Sequence, residues 1–306
     1  MMDAAKPEVP QELLRKLHAV QHWRHWVRII LFVALYVAGA VGAIWIAARH
    51  GWFYAIPLYI LAGASLHGIS LFTHEAVHGT LSANPLWNRV AGALCAIPVL
   101  QNCSAYRVLH LRHHRHLGDD GDPDHYANYT RWSWLIFSMN WLRLIAGYPV
   151  YIVAIPILGF KHGNARDGLA IIAEVLATAG VIIGILRASV PAAWLLHGWL
   201  VPMIFINTMV NIRGMSQHTL LEHTSDEILG TRTILTSRLV RFFMCNENYH
   251  LEHHLWPGIP WYGLPAAHEA AAPELKRRGA PFIRSYGSFV REFIIRSIER
   301  SPWSRR

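Results

Sequence analysis

Asn248-Tyr249-His250-Leu251-Glu252-His253-His254-Leu255-Trp256-Pro257-Gly258-Ile259-Pro260-Trp261 is the stretch on which the fold turns. Its three histidines stand at i, i+3 and i+4. In a helix that spacing sets all three imidazoles on one face within a single turn. Imidazoles converging in this way are the donor set of a metal site, whereas a packed core gains little from three adjacent polar rings. The same grammar recurs at His110, His113 and His114, and an i, i+4 pair stands at His74 and His78.

Around these boxes the chain is strongly apolar. Of 306 residues, 53% are hydrophobic and 15% are charged, against roughly 25% charged in an average soluble domain. The composition points to an all-α integral membrane protein formed as a single domain over 1–306. Thirteen Trp and eleven Tyr suit long interfacial belts. The formal charge of +9 reads as a positive-inside bias and not as nucleic-acid binding, because no basic run accompanies a recognition motif. Cys95, Cys103 and Cys245 are too scattered for a disulfide framework or an iron–sulfur set. The polar start, without a small-residue cleavage site after the first apolar run, argues against a cleavable signal peptide.

Hydropathy divides the chain into five stretches. Residues 1–28 form a basic cytoplasmic segment, with Trp23 and Trp26 as interface anchors and His18, His22 and His25 as a surface face, not ligands. Residues 29–72 form a first hairpin, from the spans Ile29 to Ala48 and Trp52 to Phe72. Residues 73–167 carry the first two boxes. There, Val90 to Leu100 is too short to span. Trp132 to Phe160 contains Asn140, Arg143, Pro149 and Pro156 and reads as interfacial, with a spanning helix as the alternative. Residues 168–210 form a second hairpin, from Gly168 to Leu186 and Pro191 to Val210. Its acid Glu174 is a functional candidate that could equally pair with His197 or a neighbouring helix. Residues 211–306 are cytoplasmic, carry the third box and end in an arginine-rich amphipathic segment. That segment reads as a solvated or lipid-facing helix, or alternatively as a docking face for an acidic electron donor.

The expected architecture is therefore four transmembrane helices in two hairpins. A cytoplasmic helical cap carries every histidine box on one side of a bacterial inner membrane. Eight box histidines are too many for one metal, and two metals with about four or five ligands each fit the count. Imidazole alone does not choose among zinc, copper, iron and nickel. A site beneath an apolar bundle suits a hydrocarbon substrate, and its strong C–H bonds favour oxygen-activated iron over zinc.

His74-Glu75-x-x-His78-Gly79, Asp122-Pro123-Asp124 and Asn248-Tyr249-His250-x-Glu252-His253-His254-Leu255-x-Pro257, with their order after hydrophobic hairpins, resemble the membrane fatty-acid desaturase superfamily. That superfamily also includes membrane hydroxylases and carotenoid hydroxylases and ketolases. The resemblance covers His74 to Pro265. It implies two non-haem irons held by His74, His78, His110, His113, His114, His250, His253, His254 and a ninth histidine. His218, in Gln217-His218 upstream of Arg232-Thr233, fits the ninth position, with Glu222-His223 as the fallback. Dioxygen would be the co-substrate, and two electrons would come from a separate ferredoxin or b-type cytochrome with its reductase.

The implied reaction is desaturation of a fatty-acyl chain, as acyl-lipid or acyl-thioester. Asp124-His125-Tyr126 and Leu255 to Tyr262 also resemble carotenoid hydroxylases, so a carotenoid or other lipid hydroxylase or ketolase is the runner-up. Glu75, Asp122, Asp124 and Glu252 are candidates to orient the imidazoles, and Asn211 to hold a metal-bound water. A membrane zinc hydrolase would leave most of the histidines unexplained. A transport protein would need more polar spans than these; a non-catalytic metal-binding protein is the remaining alternative, separated from the oxidase by metal content.

Overall fold

The computed structural model describes residues 6–221, 225–299 and 301. Its helices in chain order are α1 (Gln11–Leu17), α2 (His22–His50), α3 (Ile56–Val77), α4 (Pro85–Ala96), α5 (Cys103–His116), α6 (Ser133–His162) and α7 (Ala165–Arg187). There follow α8 (Ala192–Leu195), α9 (Val201–His218), α10 (Glu227–Gly230), α11 (Arg238–Phe243), α12 (His250–Leu255), α13 (Leu264–Arg277) and α14 (Tyr286–Glu299). Two short strands, β1 (Thr233–Ile234) and β2 (Phe282–Ile283), pair in parallel. The chain forms two compact units. The first comprises Met1–Val20, His110–Gly147 and Asn211–Arg306, and the second comprises Gln21–Leu109 and Tyr148–Val210.

Among the described residues, five helical stretches are long and apolar enough to cross a membrane: His22–His50, Trp52–Val77, Ser133–His162, Ala165–Arg187 and Ala192–His218. Four correspond to the expected spans, and the fifth is α6. That helix is kinked at Ala146 (φ −145°, ψ 29°) and holds Pro149 and Pro156, each of which removes a backbone donor. On α7, Leu169, Val175, Leu176, Ile183 and Leu186 are exposed while Ile171 is buried. A helix apolar on its outward face is matched to lipid and not to water.

The second unit is built on α3, buried almost continuously from Ala62 to Val77. Small residues let its neighbours approach closely. A Cβ at Gly63 would stand 2.7 Å from the Pro202 carbonyl oxygen and 2.8 Å from the Phe205 Cβ. At Gly68 it would stand 2.5 Å from the Phe32 ring. The Tyr59 hydroxyl lies 2.6 Å from His197 Nδ1, which takes up one partner considered for Glu174. Glu174 instead accepts from Ser104 N–H (3.1 Å) and Ser104 Oγ (2.6 Å). The acid thus caps the start of α5, where the helix dipole favours a negative charge.

His25 departs from the surface role expected of it. The helix α2 begins at His22, about two turns before the apolar run at Ile29, and this puts His25 on the inner face. It is fully buried, edge-on to Phe72 with ring centroids 5.9 Å apart, and 3.8 Å from Glu75 Oε2.

Gly63→Leu is expected to lower the melting temperature of the detergent-solubilised protein by several degrees, since overpacking costs about 1–3 kcal/mol. Gly180→Ala, with nothing within 4 Å of the added Cβ, is expected to leave it unchanged. Equal melting temperatures for the two variants would show that the close approach at Gly63 is not required.

Candidate metal centre

The third box lies on α12, six residues long, too short to persist by propensity alone. Packing fixes it. Leu251 and Leu255 are buried in a cluster with Val9, Ile228, Trp256, Ile259, Leu264 and Ala267, and each buried leucine contributes about 1.5–3 kcal/mol. The turn before it passes through left-handed backbone at Cys245 (φ 42°) and Asn246 (φ 57°). Asn248 then clamps β1: its side-chain N–H donates to the Ile234 carbonyl (2.9 Å), and Ile234 N–H donates to the Asn248 carbonyl (2.8 Å).

The buried carboxylate of Glu252 ties the helix on two sides. It accepts from Thr233 Oγ1 at 2.6 Å and lies 2.5 Å from His268 Nδ1 on α13. His218 ends α9. The buried Arg232 donates to the carbonyls of Ser216 (2.7 Å) and Thr219 (3.2 Å), satisfying acceptors that a helix end leaves open. Burial lowers that guanidinium to about 10, so it stays charged at neutral pH.

In the first unit the imidazoles converge. His113 Nε2 is 3.2 Å from His218 Nε2, which is 3.1 Å from His250 Nε2, which is 3.1 Å from His254 Nε2. These four residues offer ligand atoms that all lie within 4.8 Å of one another. Nitrogens placed tetrahedrally around a metal at 2.0–2.1 Å are about 3.4 Å apart. Two more converge on His114, whose Nε2 is 3.1 Å from His110 Nε2 and 3.2 Å from His253 Nε2. The rings of His114 and His254 stack at 4.1 Å. In the second unit, His74 and His78 share the end of α3 with ring centroids 4.8 Å apart.

The donor set fits a cation. His113 Nδ1 is 2.9 Å from Asp122 Oδ1, and His218 Nδ1 is 3.0 Å from the Gly230 carbonyl oxygen. Both oxygens only accept, so both Nδ1 atoms carry the proton and both neutral rings turn a lone pair toward each other. Lone pairs 3.2 Å apart repel. A proton can bridge one such pair; a metal ion answers all four nitrogens. His254 is consistent with this, because its Nδ1 is buried without a hydrogen-bond partner among the described residues.

Burial penalises the His113 cation, but the Asp122 hydrogen bond and the charges of Asp124 and Asp122 outweigh it and hold the ring above its ordinary value. His254 has no such partner. Burial first, then the neighbouring histidines, hold it well below 6.5.

Of the acids expected to orient the imidazoles, Asp122 is the one in direct contact with a box histidine at hydrogen-bond distance, His113. Asp124 reaches only 4.0 Å from His113 Nδ1 and is largely exposed. Glu75 accepts from Thr80 Oγ1 at 2.7 Å, and Glu252 holds Thr233 and His268. Asn211 is buried with Oδ1 against Gly147. His67 lies in the core of α3, and His116 pairs with Asp119 at 3.2 Å. His223 lies outside the described residues. The sequence reading missed the buried Glu247, 3.7 Å from His250 Nδ1 and 3.6 Å from Arg213 Nη1. Its position three residues before His250 was the available signal. It also missed His268, which has no spacing relation to any box.

Helices apolar enough for lipid and imidazoles gathered around shared points define a membrane protein able to hold metal on histidine. The fatty acid desaturase family model matches residues 50–286, and the chain belongs to that family. It is 31% identical over 243 residues to dihydrorhizobitoxine desaturase of Bradyrhizobium elkanii, covering 71% of this chain and 67% of that one. It is 23% identical over 297 residues to sn-1 oleoyl-lipid 12-desaturase of Picosynechococcus sp. (85% and 80%). It is 25% identical over 240 residues to the sphingolipid delta(4)-desaturase/C4-monooxygenase of Bos taurus (75% and 69%). Family membership makes the protein an oxidoreductase, and the histidine clusters fit oxidase-type chemistry on a lipid.

Asp122→Asn is expected to weaken metal binding by about 10–100-fold, measured by competition with a chelator, with the circular-dichroism spectrum unchanged. Unaltered affinity would remove Asp122 from its orienting role. In metal-free protein, the depressed His254 contributes stability that is complete above 6.5 and is lost as pH falls toward the folded value, because the unfolded chain then binds more protons. The raised His113 acts in the opposite sense, losing its contribution as pH rises through its folded value. Melting of chelator-treated wild type should therefore drop between about pH 7 and about pH 5 more than that of His254→Gln. Parallel curves for the two proteins would contradict this.

Proposed function

We propose that the protein is an O2-dependent di-iron oxidase that desaturates a fatty-acyl chain in the membrane, as acyl-lipid or acyl-thioester. The observation that carries the reading is the convergence of the ring nitrogens of His113, His218, His250 and His254, with the lone pairs of His113 and His218 turned inward. His110, His114 and His253 are read as ligands of a second iron. His74 and His78 are included among the nine ligands on their spacing and on the family resemblance. Two irons held there would supply the oxidising power to remove two hydrogens from adjacent methylenes, with dioxygen, two electrons and two protons giving the alkene and two waters. Asp122 and the Gly230 carbonyl orient the rings, and the Glu252 ties keep α12 in place. A separate ferredoxin or b-type cytochrome with its reductase is the proposed donor. The named activities of the relatives, two desaturases and a desaturase/monooxygenase, keep hydroxylation as the second outcome of the same chemistry.

A four-span topology is proposed on parity. Three membrane-length stretches lie between the second and third boxes: α6, α7 and Ala192–His218. Those boxes share imidazole contacts, so they stand on one side of the bilayer, which requires an even number of crossings between them. The stretch read as not crossing is α6, with Arg143 and the break at Ala146. The basic N-terminal residues favour the cytoplasmic face of a bacterial inner membrane, and the chain is read as one catalytic domain.

Expression in a bacterium that makes only saturated chains, followed by mass spectrometry of its lipids, tests the reaction. Wild type is expected to yield acyl chains lacking two hydrogens, and His254→Ala is expected to yield none. A product gaining oxygen would favour hydroxylation. Unchanged lipids from an iron-loaded protein supplied with electrons would contradict the acyl substrate.

A further inference from the structure

Within the first unit, α6 and the segment after α5 border a cleft of about 200 Å3, with His113 and His218 in its wall. Arg143 also lines it, a cation on the largely apolar α6. Its guanidinium lies over Gly214, where even a Cβ would stand 2.9 Å from Nη2. Among the described residues, this half-buried guanidinium makes no hydrogen bond or ion pair. A partly desolvated guanidinium lowers its free energy by meeting an anion, and its planar fork suits a carboxylate or phosphate.

The acids that share the cleft do not meet that need. Asp122 is engaged by His113 Nδ1 at 2.9 Å and by the backbone N–H groups of Asp124 (2.9 Å) and Gly118 (3.3 Å). Asp124 is 55% exposed and makes no ion pair with Arg143. The volume is below that of a drug-sized pocket and suits a head group of a few atoms, not a whole chain.

We propose that this cleft binds the anionic head of the substrate, a carboxylate or a phosphate ester, with Arg143 as its anchor. The proposal rests on the oxidase reading and narrows its substrates to chains whose head group bears an accessible acid. Gly214 leaves room for the guanidinium, since a Cβ there would stand 2.9 Å from Nη2.

The test is calorimetric titration of the metal-loaded protein in neutral detergent with hexanoate, hexyl phosphate, hexanamide and inorganic phosphate. Both alkyl anions are expected to bind about tenfold or more tightly than the amide. Arg143→Gln should erase that preference, Arg143→Lys should keep part of it, and Gly214→Val should weaken it by displacing the guanidinium. The proposal is overturned if hexanamide matches the anions in wild type, or if Arg143→Gln keeps the preference. It is equally overturned if inorganic phosphate matches hexyl phosphate, which would make the cleft a free-anion site. Iron content measured on the same samples separates the two claims. Arg143→Gln protein that holds its iron and binds anions like wild type would sink the anion site alone. Wild type without iron would sink the oxidase reading, whatever binds at Arg143.

Discussion

A neutral imidazole has one lone pair to give, and what its second ring nitrogen touches decides where that lone pair points. In the first unit those second nitrogens are fixed by groups that only accept: the Asp122 carboxylate for His113 and the Gly230 carbonyl for His218. The consequence is a set of Nε2 atoms 3.1–3.2 Å apart, an arrangement unfavourable for the protein alone and favourable around a cation. Much of the surrounding structure keeps those rings from turning away. Arg232 closes the end of α9 beneath His218, and the ties from Thr233 and His268 to Glu252 pin the short helix that carries the third box.

The same constraint bears on topology. Sharing of imidazoles between the second and third boxes limits how many helices between them can cross the bilayer. Lipid itself demands helices apolar on their outer faces, and α7 shows the pattern most plainly, with large apolar residues exposed along its length. Close packing of α3 depends on glycines, because between lipid-bathed helices small side chains and tight contacts supply what the hydrophobic effect supplies in water.

Helices and boxes were legible in the sequence because both are periodic. The i, i+3, i+4 spacing of His250, His253 and His254 places them on one face whatever else the chain does, and apolar runs of about 20 residues announce spans. What escaped is what periodicity does not encode. His268 reaches Glu252 from another helix, with no spacing relation to any box. His25 was misread because the apolar run begins at Ile29 while the helix begins at His22, so its inner face was extrapolated too late. The sequence showed α6 as apolar yet interrupted, and composition alone left both an interfacial and a spanning reading open.

The most direct test of the central claim is metal analysis of the protein purified in detergent, beside a His218→Ala variant, with folding checked by elution and circular dichroism. Iron at about two per chain is expected in wild type, with a clear loss in the variant. One zinc per chain, or folded protein that takes up no metal when offered ferrous iron, would contradict it.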